Sequence, residues 1–267
     1  MSECPVSTLR LSVRGGVAAV AYGLFAYLGF LGTILYAIGF VGNLWVPKSI
    51  DSGPSAPLLT ALTMNIALLA LFAVQHSVMA RPAFKGWWTR YVPAAVERST
   101  YVILSSLALV LLFWQWRALP MSVWTVDNEA GRLVLSLLSW SGWATVFAST
   151  FLINHFELFG LKQVFARASR RVLAGPVFST PLLYRMVRHP LYLGFVFAFW
   201  ATPDMTVGHL LFALATTGYI LVAIRLEERD LIAVFGDQYR HYQRDVPMLL
   251  PLVKRRSVRT PAGSVTP

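Results

Sequence analysis

The chain has 267 residues, 56% of them apolar and 13% charged, with a mean hydropathy of +0.59. A soluble domain carries about 25% charged residues, so this composition excludes an ordinary soluble globular protein. The net charge of +11 fits either a nucleic-acid binder or the loops of a polytopic membrane protein, and the placement of the basic residues favours the loops, with no nucleic-acid partner expected. The single cysteine, Cys4, excludes an internal disulfide and any cysteine-built zinc or iron–sulfur centre.

The N-terminal stretch MSECPVSTLRLSVRGG lacks the basic-then-apolar order and small-residue cleavage site of a removable signal peptide, so the first apolar run is expected to anchor the protein. About 20 apolar residues cross a hydrocarbon core of about 30 Å. Runs of that length occupy residues 17–42, 58–79, 100–118 and 132–153. A fifth run, residues 191–202, makes only about 18 Å of helix and is turned by Pro203 and Asp204. Residues 207–224 follow with about 27 Å, so the pair reads as a helical hairpin with a short first arm. The expected fold is all-α: a polytopic integral membrane helical bundle of about five transmembrane helices, with a C-terminal hairpin and an amphipathic surface helix.

Assigning loops to alternate sides places 20 of the 23 Lys and Arg residues on one side, leaving Lys48, Arg117 and Arg132 on the other. The positive-inside rule then puts both termini in the cytoplasm. Three regions are expected: residues 1–183 with the N-terminal helices and cytoplasmic loops, a C-terminal region 184–253, and a disordered basic tail 254–267, KRRSVRTPAGSVTP, lying near anionic lipid headgroups.

Chemistry-bearing residues concentrate in the C-terminal half. In EERDLIAVFGDQYRHYQRDVPMLLP, residues Glu228, Leu231, Phe235, Tyr239 and Tyr242 recur at helical spacing, which predicts one amphipathic helix weakened at Gly236. Glu227 and Glu228 sit where this helix leaves the last span, and carboxylates at that depth need a partner: Arg225, Arg229 or a neighbouring basic loop. Upstream lies MVRHPLYLGF, in which Arg188, His189 and Pro190 abut the start of the short arm.

In order, RHPLYLG, the hairpin, EERDL, FGDQYRHY and VPMLLP resemble the membrane methyltransferases of the isoprenylcysteine and phospholipid type. Arg188, His189, Pro190, Tyr192, Gly194, Glu227 and Glu228 match that family's Arg-His-Pro-x-Tyr-x-Gly and Glu-Glu pattern, within a resemblance running from Tyr184 to Pro251. The resemblance implies an S-adenosylmethionine site between hairpin and surface helix. The chemistry of the residues is compatible. Two glutamates suit the donor's ammonium and ribose hydroxyls. His189 and backbone groups freed near Pro190 suit its polar ends, and Tyr192 and Tyr239 offer aromatic faces. Gly194 permits close approach to backbone. Taken singly, His189 also reads as a surface imidazole, Gly194 as a helix-packing glycine and Tyr192 as an interfacial tyrosine.

Farther upstream, LFAVQHSVMARPAFKGWW, ERSTYVILSSLALVLLFWQW and NHFELFGLKQV resemble the bacterial methanethiol S-methyltransferases, a group related to membrane proteins of denitrification clusters. That resemblance implies methyl transfer to methanethiol in the bacterial inner membrane, giving dimethyl sulfide. A larger thiol, an isoprenylcysteine or a lipid remains an alternative acceptor, and a non-enzymatic membrane protein of the denitrification-linked group an alternative class. Gln75, His76 and Ser77 end the second span, and Asn154, His155 and Glu157 the fourth; the other reading of these residues is interhelical hydrogen bonding. Because a thiolate is the nucleophile, a proton acceptor is needed. His76 or His155 is the expected base, with Tyr184, Tyr192 or Arg185 orienting or stabilising the thiolate, and Trp87, Trp88, Phe156 and Phe159 shaping a small pocket. No i, i+4 histidine pair suggests a metal, and His209 and His241 are expected to be solvated.

Overall fold

The computed structural model describes residues 13–54, 56–173, 175 and 177–251. In chain order the described elements are α1 (Val13–Gly42), α2 (Leu58–Ala80), α3 (Pro82–Trp88), α4 (Ala94–Gln115), β1 (Ser122–Thr125) and α5 (Glu129–Ile153). They continue with α6 (His155–Leu158), α7 (Leu161–Ala168), α8 (Leu183–Met186), α9 (Pro190–Trp200), β2 (Asp204–Thr206), α10 (Val207–Phe235) and α11 (Asp237–Asp245). Five helices, α1, α2, α4, α5 and α10, are long and apolar enough to cross a bilayer. The chain is an integral membrane protein with an all-α bundle fold. With 11 residues, α9 rises about 16 Å and does not cross on its own, as the short apolar run predicts.

Proline sets several of the boundaries. Arg81 precedes Pro82 and is extended, at φ −73° and ψ 142°, because the proline ring disfavours helical geometry in the residue before it. Pro82 and Pro190 then open α3 and α9, where a missing N–H breaks no helical bond. One boundary differs from the sequence expectation. The stretch 227–251 does not form a single surface helix. Its first third extends α10, which runs to Phe235, and the chain breaks at Gly236 with φ 57° before α11 begins. Left-handed backbone is what glycine tolerates and other residues resist, so Gly236 ends the helix rather than merely weakening it.

The chain divides into two compact units. The first comprises the described residues within Met1–Ser122, Asn154–Pro176 and Thr206–His209. In it α1 packs on α4 and α7, and α2 on α4. At Gly23 of α1, an added Cβ would lie 2.7 Å from Val164 of α7, so the helices approach through the missing side chain. His209, expected in solvent, is 1% exposed, and its backbone N–H donates to Thr206 Oγ1. Because α10 begins at Val207, His209 is already inside a packed helix.

The second unit comprises the described residues within Val123–Ile153, Val177–Met205 and Leu210–Pro267. Its main contact is α5 against α9. A Cβ on Gly142 would lie 2.6 Å from the Gly194 carbonyl, and one on Gly194 would lie 2.6 Å from the Gly142 carbonyl. Within lipid, helices associate through close packing rather than a hydrophobic drive, and small residues permit that approach. Ser139 Oγ also donates to the Ala198 carbonyl at 3.1 Å. Hairpin arms α9 and α10 meet through Phe199 and Phe212 and through Trp200 Nε1, which donates to Thr217 Oγ1 at 2.9 Å. A feature without a sequence signal is the two-stranded ribbon of β1 and β2. Beside it Arg132 forks onto both oxygens of Asp204, at 3.1 and 2.7 Å, and this bonding holds the Asp204 carboxyl below the usual carboxylate range. The tail 254–267 lies outside the described residues.

Candidate functional site

Arg188 and His189 form the turn between α8 and α9, and the segment after α11 pairs with them through backbone. Arg188 N–H donates to the Pro247 carbonyl at 2.9 Å and His189 N–H to the Met248 carbonyl at 3.2 Å. The Arg188 guanidinium works in two directions. Its Nη1 donates to the Gln243 and Val246 carbonyls, at 3.0 and 2.6 Å, covering acceptors that α11 leaves unpaired at its C-terminal end. Its Nε donates to Glu228 Oε1 at 2.7 Å.

Glu228 is the centre of this cluster. Oε1 also accepts from His189 Nε2 at 3.0 Å and from Tyr239 at 3.4 Å, while Oε2 accepts from Gln243 Nε2 at 2.8 Å. The carboxylate is 14% exposed and fully engaged by protein donors. Glu227 differs. Consecutive helical residues point about 100° apart, and the Glu227 side chain is 43% exposed, with Oε2 accepting from the Tyr192 hydroxyl at 3.0 Å. No hydrogen bond reaches its Oε1 among the described residues. His189 Nδ1 stands 3.9 Å from Glu227 Oε2, outside hydrogen-bond range.

The structure therefore brings together Arg188, His189, Tyr192, Glu227, Glu228 and Tyr239 in the second unit, and it adds Gln243, which the sequence reading missed. Glu228 has its ionic partner in Arg188, on a neighbouring basic loop, while Glu227 has the Tyr192 hydroxyl; Arg229 instead lies 3.8 Å from Asp230. Pro190 is buried at the first position of α9. Gly194 faces α5, so the close approach it permits is that of the Gly142 backbone, and helix packing accounts for this glycine. Tyr184 hydroxyl lies 3.5 Å from the Ser149 carbonyl, and Tyr184's own carbonyl accepts from Tyr242 at 2.5 Å. Burial, then the Glu227 carboxylate, pushes the Tyr184 phenol well above its ordinary range. Burial likewise raises Tyr239, and Tyr242 to about 12, so all three hydroxyls keep their protons near neutrality. Arg185 is exposed and donates through Nε to the Thr180 carbonyl at 3.2 Å.

His76 and His155 belong to the first unit. His76 bridges α2 and α4: Nδ1 lies 3.2 Å from Ser105 Oγ and Nε2 lies 2.9 Å from the Tyr101 hydroxyl. His155, at the start of α6, has Nε2 2.8 Å from the Tyr27 hydroxyl and packs edge-on against Phe159 with ring centroids 4.8 Å apart. It is buried, and burial lowers its pKa from the ordinary value, so the imidazole is neutral at physiological pH. Trp87 and Trp88 pack with Phe84 on α3. Phe159 stacks on Phe30 at 4.0 Å, while Phe156 is exposed. Among the described residues no group of three His, Cys, Asp or Glu is arranged to hold a metal. A groove of about 400 Å³ in the first unit, lined by Tyr22, Val96, Thr100 and Arg167 among others, includes none of the candidate site residues.

Comparison with known proteins follows this geometry. The family described as NnrU protein matches residues 64–233. Methanethiol S-methyltransferase of Mycobacterium tuberculosis is 58% identical over 238 residues, covering 89% of this chain and 98% of its own length. Methanethiol S-methyltransferase of Crocosphaera subtropica is 51% identical over 250 residues, covering 94% and 98% respectively. Nurim of Rattus norvegicus is 33% identical over 184 residues, covering 65% of this chain and 69% of its own. No solved structure matches the chain.

Proposed function

Because the chain belongs to the family of the methanethiol S-methyltransferases, within the NnrU protein family, we propose that it methylates methanethiol to dimethyl sulfide. The donor in this reading is S-adenosylmethionine, taken up at the cytoplasmic face of the bacterial inner membrane by the region 184–253. The half-exposed Glu227 carboxylate, held by Tyr192 at the edge of a cluster whose other charges are all paired, carries the reading. It suits the donor's cationic ammonium or its ribose hydroxyls. When bound, S-adenosylmethionine supplies an electrophilic methyl group on a sulfonium sulfur.

The protein's own residues have three tasks in this reaction. Tyr192 fixes the Glu227 carboxylate so that little side-chain entropy is lost on binding. Arg188, His189 and Glu228 make a closed, charge-balanced wall that keeps the neighbouring backbone in place. The third task is removal of the thiol proton, since methanethiol must react as thiolate. The sequence offers His76 or His155, both residues of the first unit, as candidate acceptors for that proton. Tyr184 retains its proton and acts as a hydroxyl donor, not as the base. The 20-to-3 distribution of Lys and Arg supports the cytoplasmic orientation of both termini.

Headspace gas chromatography of dimethyl sulfide from purified protein, S-adenosylmethionine and methanethiol tests the reaction. Methylation of a farnesylcysteine analogue by the same preparation tests the acceptor. Glu227→Gln is expected to raise the KM for the donor about tenfold, the loss of one charge-assisted contact. Faster turnover of the farnesyl compound would overturn the small-thiol assignment, and absence of product from both acceptors would overturn the methyltransferase reading.

A further inference from the structure

Gln243 occupies a place in the cluster that neither the motifs nor the proposed reaction assigns. Its backbone carbonyl accepts from Arg188 Nη1 at 3.0 Å, and its side-chain Nε2 donates to Glu228 Oε2 at 2.8 Å. Arg188 Nε closes the loop on Glu228 Oε1 at 2.7 Å. Three residues from α11, the α8–α9 turn and α10 thus form a ring of hydrogen bonds. Within that ring the described donor on Oε2 is Gln243 alone, while Oε1 is shared by Arg188, His189 and Tyr239.

A carboxylate held at one oxygen can still rotate about its last torsion, whereas one held at both cannot. Fixing the Glu228 plane fixes the direction in which Oε1 meets His189 Nε2. As a carboxylate, Glu228 only accepts, so His189 Nε2 is the donor in that bond. His189 Nδ1 stands 3.9 Å from Glu227 Oε2, so the orientation of the ring shapes the wall beside that carboxylate. The Glu227 carboxylate, beside that ring, is the acceptor offered to a ligand bearing an ammonium or hydroxyl group.

We infer that Gln243 is a positioning residue for methyl-donor binding, acting through Glu228 to set the orientation of His189 beside Glu227. The inference rests on the donor reading proposed above. It also makes Glu228 a positioning residue, and leaves Glu227 as the group that touches the ligand.

The test is a double-mutant cycle on the full chain in detergent, with Gln243→Met, which keeps the volume and removes the donor, and Glu228→Gln. Calorimetric titration with S-adenosylmethionine should show Gln243→Met weakening affinity about tenfold, the loss of a hydrogen bond to a charged group. The kcat at saturating donor should change less than about threefold. In the Glu228→Gln background the same substitution should change affinity less than about twofold, since the group it acts through has been altered. Unchanged affinity in Gln243→Met, or a full tenfold loss in both backgrounds, overturns the inference and returns Gln243 to a packing role in α11. If the parent protein does not bind S-adenosylmethionine, the donor reading fails, and amide exchange across residues 237–245 then decides the coupling. Faster exchange caused by Gln243→Met in the parent but not in Glu228→Gln supports it; equal acceleration in both backgrounds overturns it.

Discussion

In the second unit His189 is surrounded by ions, 3.0 Å from Glu228 and within a ring that includes Arg188; in the first unit His76 and His155 meet hydroxyls and aromatic rings. The same side chain is thus set to two different tasks by its surroundings. A buried charge is costly unless it is paired, and the second unit meets that requirement by balancing Arg188 with Glu228. The first unit offers its histidines Tyr27, Tyr101 and Ser105, which hydrogen-bond a neutral imidazole and give a charged one little compensation. A carboxylate neighbour ties His189 into the ion-paired ring, whereas His155 is buried among a hydroxyl and aromatic rings, and that burial holds it neutral.

Removing an ion should therefore cost far more than removing a hydroxyl. Glu228→Ala leaves Arg188, 11% exposed, without its ionic partner, a change that costs about 3–5 kcal/mol in comparable buried pairs. The expected result is a collapse of the thermal unfolding midpoint in detergent, and a midpoint within a degree or so of the parent would mean that Glu228 does not organise the cluster. Gly194→Val should come next, at about 1–3 kcal/mol, because the added atoms meet the Gly142 backbone, which cannot give way. Gly29→Ala in α1, where nothing lies within 4 Å, should be neutral or slightly stabilising in the same assay. Equal effects at the two glycines would remove the packing argument for the α5–α9 crossing.

Tyr27→Phe should lose about 0.5–1.5 kcal/mol, the range for one neutral hydrogen bond. A loss as large as that of Glu228→Ala would show that His155 carries charge after all. The smallest effect expected is a dependence on pH. Burial holds the folded His155 below the ordinary value of 6.5, so between those two values the unfolded chain binds the extra proton and the folded chain does not. Stability from this group is full above about pH 6.5 and falls as the pH drops toward the folded value. Urea midpoints measured across that window should slope downward with acid in the parent and flatten in His155→Gln. An undiminished slope in the variant would place the titrating group elsewhere.

The sequence by itself determined the five spans, the short arm of the hairpin and the membrane class, because spanning a bilayer depends on length and apolarity within one segment. It also marked Arg188, His189, Tyr192, Glu227, Glu228 and Tyr239 as one group, through a motif order that survives as text along the chain. Tertiary structure decided the rest. The adjacent glutamates are interchangeable as letters, yet Glu228 is enclosed by Arg188, 40 positions away in the chain, while Glu227 keeps an open oxygen. Gly194 matches a site motif and serves a helix crossing, His209 is buried where its position beside the hairpin turn suggested solvent, and Gln243 joins the cluster without any motif to mark it. Hydropathy is a property of neighbours in sequence, but the partner of a carboxylate or an imidazole is a neighbour in space, and only the packing of α5, α9, α10 and α11 selects it.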